Sequence, residues 1–181
     1  MLQSEQYRWL CRRQLLLLTR GLWHVGPDKF LFNSIMTPGY SGKPLSKKLG
    51  IAPGMMVVTV GAPPNYSDLL MHVPDDVLII ESGASGSSRA KVSSGPADMV
   101  HLFTNSRDEL FRLLAEYKNL IKQDGTIWVS WYKRAAKLST EITEDTVREA
   151  ALPLGLVDVK VCAVDDKWSG LKLVIRKEHR I

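Results

Sequence analysis

The stretch from Thr143 to Lys177, TEDTVREAALPLGLVDVKVCAVDDKWSGLKLVIRK, decides the fold. Thr143 can cap a helix, and Glu144 and Asp145 then sit at its positive end. Pro153 and Gly155 stop that helix. Val157 to Val164 and Leu171 to Arg176 read as two strands, rich in β-branched and aliphatic residues. Only Asp165 to Gly170 joins them, and so short a connection demands an antiparallel pair.

Upstream of this ending, strands and helices alternate. Met55 to Val60 (MMVVTV) is a short apolar run bounded by turns, which predicts a strand buried on both faces. Gly61-Ala62-Pro63-Pro64 breaks it, Tyr66 to Met71 forms a short helix, and Val77 to Ile80 forms a second strand. Glu81 to Pro96 is a Gly/Ser-rich loop, long for a connection inside a compact domain; it is either mobile, the favoured reading, or closes over something. Met99 to Phe103 is a third strand. Ser106 and Glu109 make a capping-box pattern, and Leu110, Leu113, Leu114, Tyr117 and Ile121 follow at helical spacing. Asp124-Gly125 turns the chain into a fourth strand, Thr126 to Trp131. Before all of these, Gly39 to Gly42 is a turn and Pro44 to Leu49 a single helical turn ended by Gly50, with Lys43, Lys47 and Lys48 pointing outward. The expected fold class is α/β: three layers, a mostly parallel sheet, and a C-terminal antiparallel hairpin.

Composition fits such a domain. Of 181 residues, 45% are apolar and 24% charged, which excludes disordered and collagen-like classes for most of the chain. The two cysteines, Cys11 and Cys162, supply neither a disulfide framework nor a zinc site; a reducing, cytoplasmic compartment fits. The net charge of +5 is concentrated at the start. Residues 1–35 hold Arg8, Arg12, Arg13, Arg20 and Lys29 against Glu5 and Asp28, leaving 19 basic and 17 acidic side chains elsewhere. The later part therefore offers only short basic clusters and no strong nucleic-acid signal. The leucine run Leu15 to Leu18 is too short for a signal core or a membrane span. Residues 1–35 are read as an extension outside the domain, with Met36 the expected natural start and 36–181 a single α/β domain.

A helix after a strand, followed by a hairpin that inserts one antiparallel strand, resembles the last third of the class I methyltransferase fold, here in reduced form. More closely, the chain resembles a small uncharacterised bacterial family, domain of unknown function 3052. The likeness rests on GYSGKPLSKKLGI with PG following (Gly39 to Gly54), DMVHLF (Asp98 to Phe103), WVSWYKRAAK (Trp128 to Lys137) and the closing stretch from Thr143 to Lys177. It implies a fold and no established activity.

The methyltransferase likeness implies a glycine-rich cofactor turn after the first strand and an acidic ribose ligand after the second. Gly61 and Glu81 stand at those places, but Pro63 and Pro64 remove backbone donors and stiffen the turn. No cofactor is therefore expected. SGK at Ser41 to Lys43 lacks the spacing and the Ser/Thr of a phosphate loop, and no G-x-S-x-G elbow occurs. None of His24, His72, His101 and His179 stands at metal-ligand spacing, so no metal is expected; His101 reads as a satisfied core residue. The best ligand candidates are Trp131, Lys133 and Lys137, with Trp128 and Arg134 nearby, at the carboxyl end of a central strand where open α/β sheets collect ligands. Packing tryptophans and a solvated lysine helix explain the same residues. Trp168 and Ser169, placed in the hairpin connection, are either an exposed contact surface or a turn folded onto the sheet. The favoured function is a non-catalytic small-ligand-binding or regulatory protein on a degenerate methyltransferase-like scaffold, its partner an unknown small molecule or protein. An enzyme acting on an anionic small molecule and a protein-interaction module remain alternatives.

Overall fold

The computed structural model describes residues 43–82 and 95–181. The expectations for residues 1–35, for the Gly39 to Gly42 turn and for most of the Gly/Ser-rich loop lie outside them. The described elements are α1 (Leu45–Leu49), β1 (Met56–Val60), α2 (Tyr66–Leu70), β2 (Leu78–Ser82), β3 (Ala97–Phe103), α3 (Arg107–Tyr117), β4 (Ile121–Tyr132), α4 (Glu144–Ala151), β5 (Leu156–Ala163) and β6 (Trp168–Ile175). The strands form one six-stranded sheet in the order β2-β1-β3-β4-β6-β5. β1, β2, β3 and β4 pair in parallel, and β6 runs antiparallel to both β4 and β5.

Alternation along the strands divides the core into two halves. Val58, Val60, Val100, Leu102, Ile127, Val129 and Trp131 face α3 and α4, meeting Leu110, Leu113, Leu114, Val147 and Ala150. Val57, Met99, Phe103 and Trp128 face α1 and α2, meeting Leu45, Leu49, Tyr66 and Leu70. The MVVTV run of β1 is buried on both sides because helices cover both faces at the sheet centre. Trp128 is fully buried, and its indole N–H donates to the Leu49 carbonyl at 3.1 Å, tying the end of α1 to the sheet.

Four local expectations are corrected. Asp124-Gly125 does not end a loop. Strand β4 already begins at Ile121, and the β3–β4 register jumps from Ala97↔Ile121 to Met99↔Thr126. The bend is absorbed as a bulge inside the strand, because buried Ile121 is held against Ala97 rather than closing the helix. Ser106 makes no side-chain cap on α3; Glu141 accepts from the Arg107 N–H at 2.8 Å instead. Lys48 does not point outward: it is largely buried and its ammonium donates to the Ala163 carbonyl at 3.3 Å. Trp168-Ser169-Gly170 is not hairpin connection but the start of β6, since Ser169 pairs with Trp131 and Tyr132 with Trp168. The α4 cap stands as read: Thr143 and Thr146 form a reciprocal capping box.

Gly125 is buried within the bulge, and a Cβ there would lie 2.9 Å from the Lys122 carbonyl oxygen. Gly125→Ala should therefore destabilise the fold by about 1–3 kcal/mol, as overpacking against backbone does. Urea unfolding would check this, and an unchanged midpoint would contradict the bulge geometry.

Candidate functional site

The carboxyl ends of β1, β3 and β4 and the β5–β6 turn enclose a cleft of about 820 Å³. After β1 the chain turns at Gly61, whose φ of +64° favours glycine, and runs through Ala62, Pro63 and Pro64. The Pro63 carbonyl accepts from the Tyr66 N–H at 2.9 Å and starts α2. After β3, Thr104 and Asn105 leave the sheet. The Thr104 hydroxyl donates to Glu109 at 2.5 Å, and Asn105 Oδ1 accepts the Tyr132 N–H at 2.9 Å, holding the ends of β3 and β4 together. On the far side Asp165 Oδ1 accepts the N–H groups of Lys167 and Trp168, both at 2.7 Å, which fixes the turn.

The wall between these edges is aromatic. Trp168 packs edge-on to Phe103 with centroids 5.1 Å apart, and against Tyr132 at 4.2 Å. Phe103 in turn lies 4.2 Å from the His101 ring. The charged residues of the lining are Glu109, Asp165, Asp166 and Lys167, so carboxylates outnumber ammoniums there.

Behind the wall His101 is fully buried, with the Tyr66 hydroxyl 2.9 Å from Nδ1 and Ser130 Oγ 2.8 Å from Nε2. Burial pulls its pKa from 6.5 down to about 3, and burial pushes the Tyr66 hydroxyl up. The imidazole is therefore neutral, with one nitrogen donating and the other accepting.

The sequence-derived residues fall in different places. Gly61 and Trp168 line the cleft. Glu81 lies inside β2 rather than after it, is exposed beside Thr59 in register, and is not part of the lining. Trp131 is buried in the half of the core that faces α3 and α4. Lys133 turns its ammonium to the Asp165 carbonyl at 2.6 Å, bracing the turn from outside the cleft lining. Lys137 is exposed, with φ +54°, beyond a short 3-10 turn over Arg134–Ala136 rather than on a longer helix. Trp168 is only 8% exposed, so its indole is part of a wall; Ser169 is half-buried beside it. Thr104, Asn105, Tyr132 and Leu138 also line the cleft and carry no sequence signal of their own, although Tyr132 stands within WVSWYKRAAK. Among the described residues no cluster of three or more His, Cys, Asp or Glu side chains is arranged to hold a metal ion, and no helix is long and apolar enough to cross a membrane.

Comparison with known proteins agrees with this architecture. The model of a family described as protein of unknown function (DUF3052) matches residues 84–177, just over half of the chain. No curated protein matches the sequence. Among solved structures, the ribosomal protein L11 methylase of Lactobacillus delbrueckii subsp. bulgaricus superposes with a TM-score of 0.51 at 13% identity, covering 73% of this chain and 75% of that one. A SAM-dependent methyltransferase from Aquifex aeolicus gives 0.50 at 15% identity, covering 71% and 87%. At such identities the likeness establishes a methyltransferase-like fold.

The buried imidazole has a consequence for stability. Its folded pKa lies below its unfolded value, so between about pH 6.5 and 3 the unfolded chain binds the additional proton. Stability from this group is complete above that window and falls as pH drops through it, by up to about 1.4 kcal/mol per pH unit. Urea unfolding at pH 7.5, 6 and 5 should show a shallower pH dependence for His101→Gln than for the wild type.

Proposed function

Given that the chain belongs to the family of unknown function DUF3052, we propose that it is a non-catalytic protein that binds a small ligand in the cleft at the carboxyl ends of β1, β3 and β4. The observation that carries this reading is the coexistence of a roomy cleft at the ligand edge of the fold with a turn unsuited to the cofactor of its methyltransferase relatives. A cleft of about 820 Å³ lies within the size range of small-molecule sites. It sits where open α/β sheets collect ligands.

S-adenosylmethionine does not fit the residues present. Pro63 and Pro64 carry no N–H, and the Pro63 carbonyl is committed to the start of α2. Glu81, the one acidic residue placed for a ribose, stands outside the lining. Recognition instead rests on Phe103, Tyr132 and Trp168 as a wall for an apolar or planar group, with Thr104 and Glu109 as polar contacts. The excess of carboxylates disfavours an anionic ligand, and Lys133, engaged with Asp165, acts as a brace for the turn.

Calorimetric titration with S-adenosylmethionine and native mass spectrometry for a co-purified small molecule test this reading together. No heat with S-adenosylmethionine and a retained molecule of another class would support it. Micromolar binding of S-adenosylmethionine, or transfer of its labelled methyl group, would refute it. Leu138, exposed at the cleft rim, provides a mild probe. Leu138→Asp should weaken retention of the co-purified molecule about tenfold, equivalent to about 1.4 kcal/mol, with an unchanged melting temperature.

A further inference from the structure

On the other side of the hairpin from α4, lysines collect that are far apart in sequence. Lys160 of β5 and Lys172 of β6 are direct cross-strand partners. Lys172 is also in register with Trp128, which places both lysines on the α1 face of the sheet. The Lys160 ammonium reaches the Lys48 carbonyl at the end of α1, 3.2 Å away, while the Lys48 ammonium crosses to the Ala163 carbonyl. Burial lowers the pKa of Lys48, and the nearby Lys133 ammonium adds to the fall. Lys43 and Lys47 stand exposed just before and on α1.

Like charges directly opposite on neighbouring strands repel, and this face does little to neutralise them. Helix α1 contains no carboxylate. Among the described residues, no ion pair involves Lys43, Lys47, Lys160 or Lys172; the arginine ion pairs all involve α3 or α4. Helices α3 and α4 carry Asp108, Glu109, Glu116, Glu144, Asp145 and Glu149 against three arginines, whereas α1 carries only Lys47 and Lys48 and its neighbour α2 only Asp68. A protein partner would need an apolar anchor. No large apolar side chain of α1 or β6 is exposed, and β5 exposes only the valines Val159 and Val161, a residue type that seldom anchors a protein interface. Ammoniums without an aromatic anchor suit repeated phosphates, whose contacts are electrostatic and independent of sequence.

We propose that the lysine face formed by α1, β5 and β6, centred on the opposed pair Lys160 and Lys172 and including the exposed Lys47 of α1, binds the phosphate backbone of a nucleic acid. This surface is separate from the cleft, and its test does not depend on what the cleft holds.

Fluorescence anisotropy of the full chain with a labelled 20-base-pair duplex, and with single-stranded DNA and RNA of equal length, measures this binding from 50 to 200 mM salt. Lys160 and Lys48 also stitch α1 to the sheet, so the variant is Lys47→Gln/Lys172→Gln, which removes two charges that hold no hydrogen bond or ion pair among the described residues. Binding is expected at 50 mM salt and should weaken steeply as salt rises. The double variant should bind more weakly and lower the salt slope on the duplex by about 1.8, near 0.9 for each lost phosphate contact. Its melting temperature should stay at or above that of the wild type, because a repulsive pair has been relieved. The three arms distinguish duplex from single strand and DNA from RNA as the source of the phosphates. No binding to any of the three at 50 mM salt overturns the proposal. So does an unchanged slope and affinity in the variant, which would place binding elsewhere in the chain, and so does equal affinity for polyglutamate.

Discussion

The β4–β6 register, from Thr126↔Val174 to Tyr132↔Trp168, is the constraint on which the rest of the molecule depends. It brings Trp168 beside Tyr132, so the aromatic wall forms and the Asp165 turn hangs over the carboxyl ends of the parallel strands. It places Leu171 and Leu173 in the half of the core under α3 and α4, and Lys172 on the opposite face with Lys160. A slip of one residue would exchange those faces, burying Lys172 and exposing two leucines. Gly170 belongs to the same constraint: a Cβ there would meet Ser130 Oγ and Val164 Cγ2 at 3.2 Å, against the buried Trp128.

Beneath the cleft wall the molecule keeps polar groups where apolar ones would pack more cheaply. Tyr66, His101 and Ser130 satisfy one another in the α1-facing half of the core. Thr59, in register with His101, buries a hydroxyl that has no partner among the described residues, a cost of about 1–3 kcal/mol. The aromatic contacts of Phe103 with both Tyr66 and His101 tie this polar chain to the wall, so wall and core are continuous in packing.

Much of the fold was legible in the sequence because its signals are local. MMVVTV is apolar and β-branched, the α3 leucines recur at helical spacing, and Thr143 caps α4; each depends on neighbours within a few residues. The misreadings arose where a distant residue overrode a local signal. Asp124-Gly125 carries turn chemistry, but pairing of Ile121 with Ala97 keeps it inside a strand. Lys48 belongs on a solvated face until the Ala163 carbonyl receives its ammonium. Ser106 has the chemistry of a cap, yet Glu141 takes the first free amide of α3. The candidate site was legible only in part. Gly61 and Trp168 stand at the cleft, whereas Trp131, Lys133 and Lys137 are near one another in sequence but are directed to the core, the turn and solvent.

By itself the sequence determined the α/β class, the order of elements, the terminal antiparallel hairpin and the stiff Pro63-Pro64 turn, because periodicity, propensity and short connections are encoded within a few residues. The tertiary structure alone decided which strand ends meet over the cleft, that Tyr132, Trp168 and Phe103 stack into its wall, and that Lys48, Lys160 and Lys172 share a face. Those outcomes depend on sheet order and register, which bring together residues separated by up to more than a hundred positions and which no local pattern specifies.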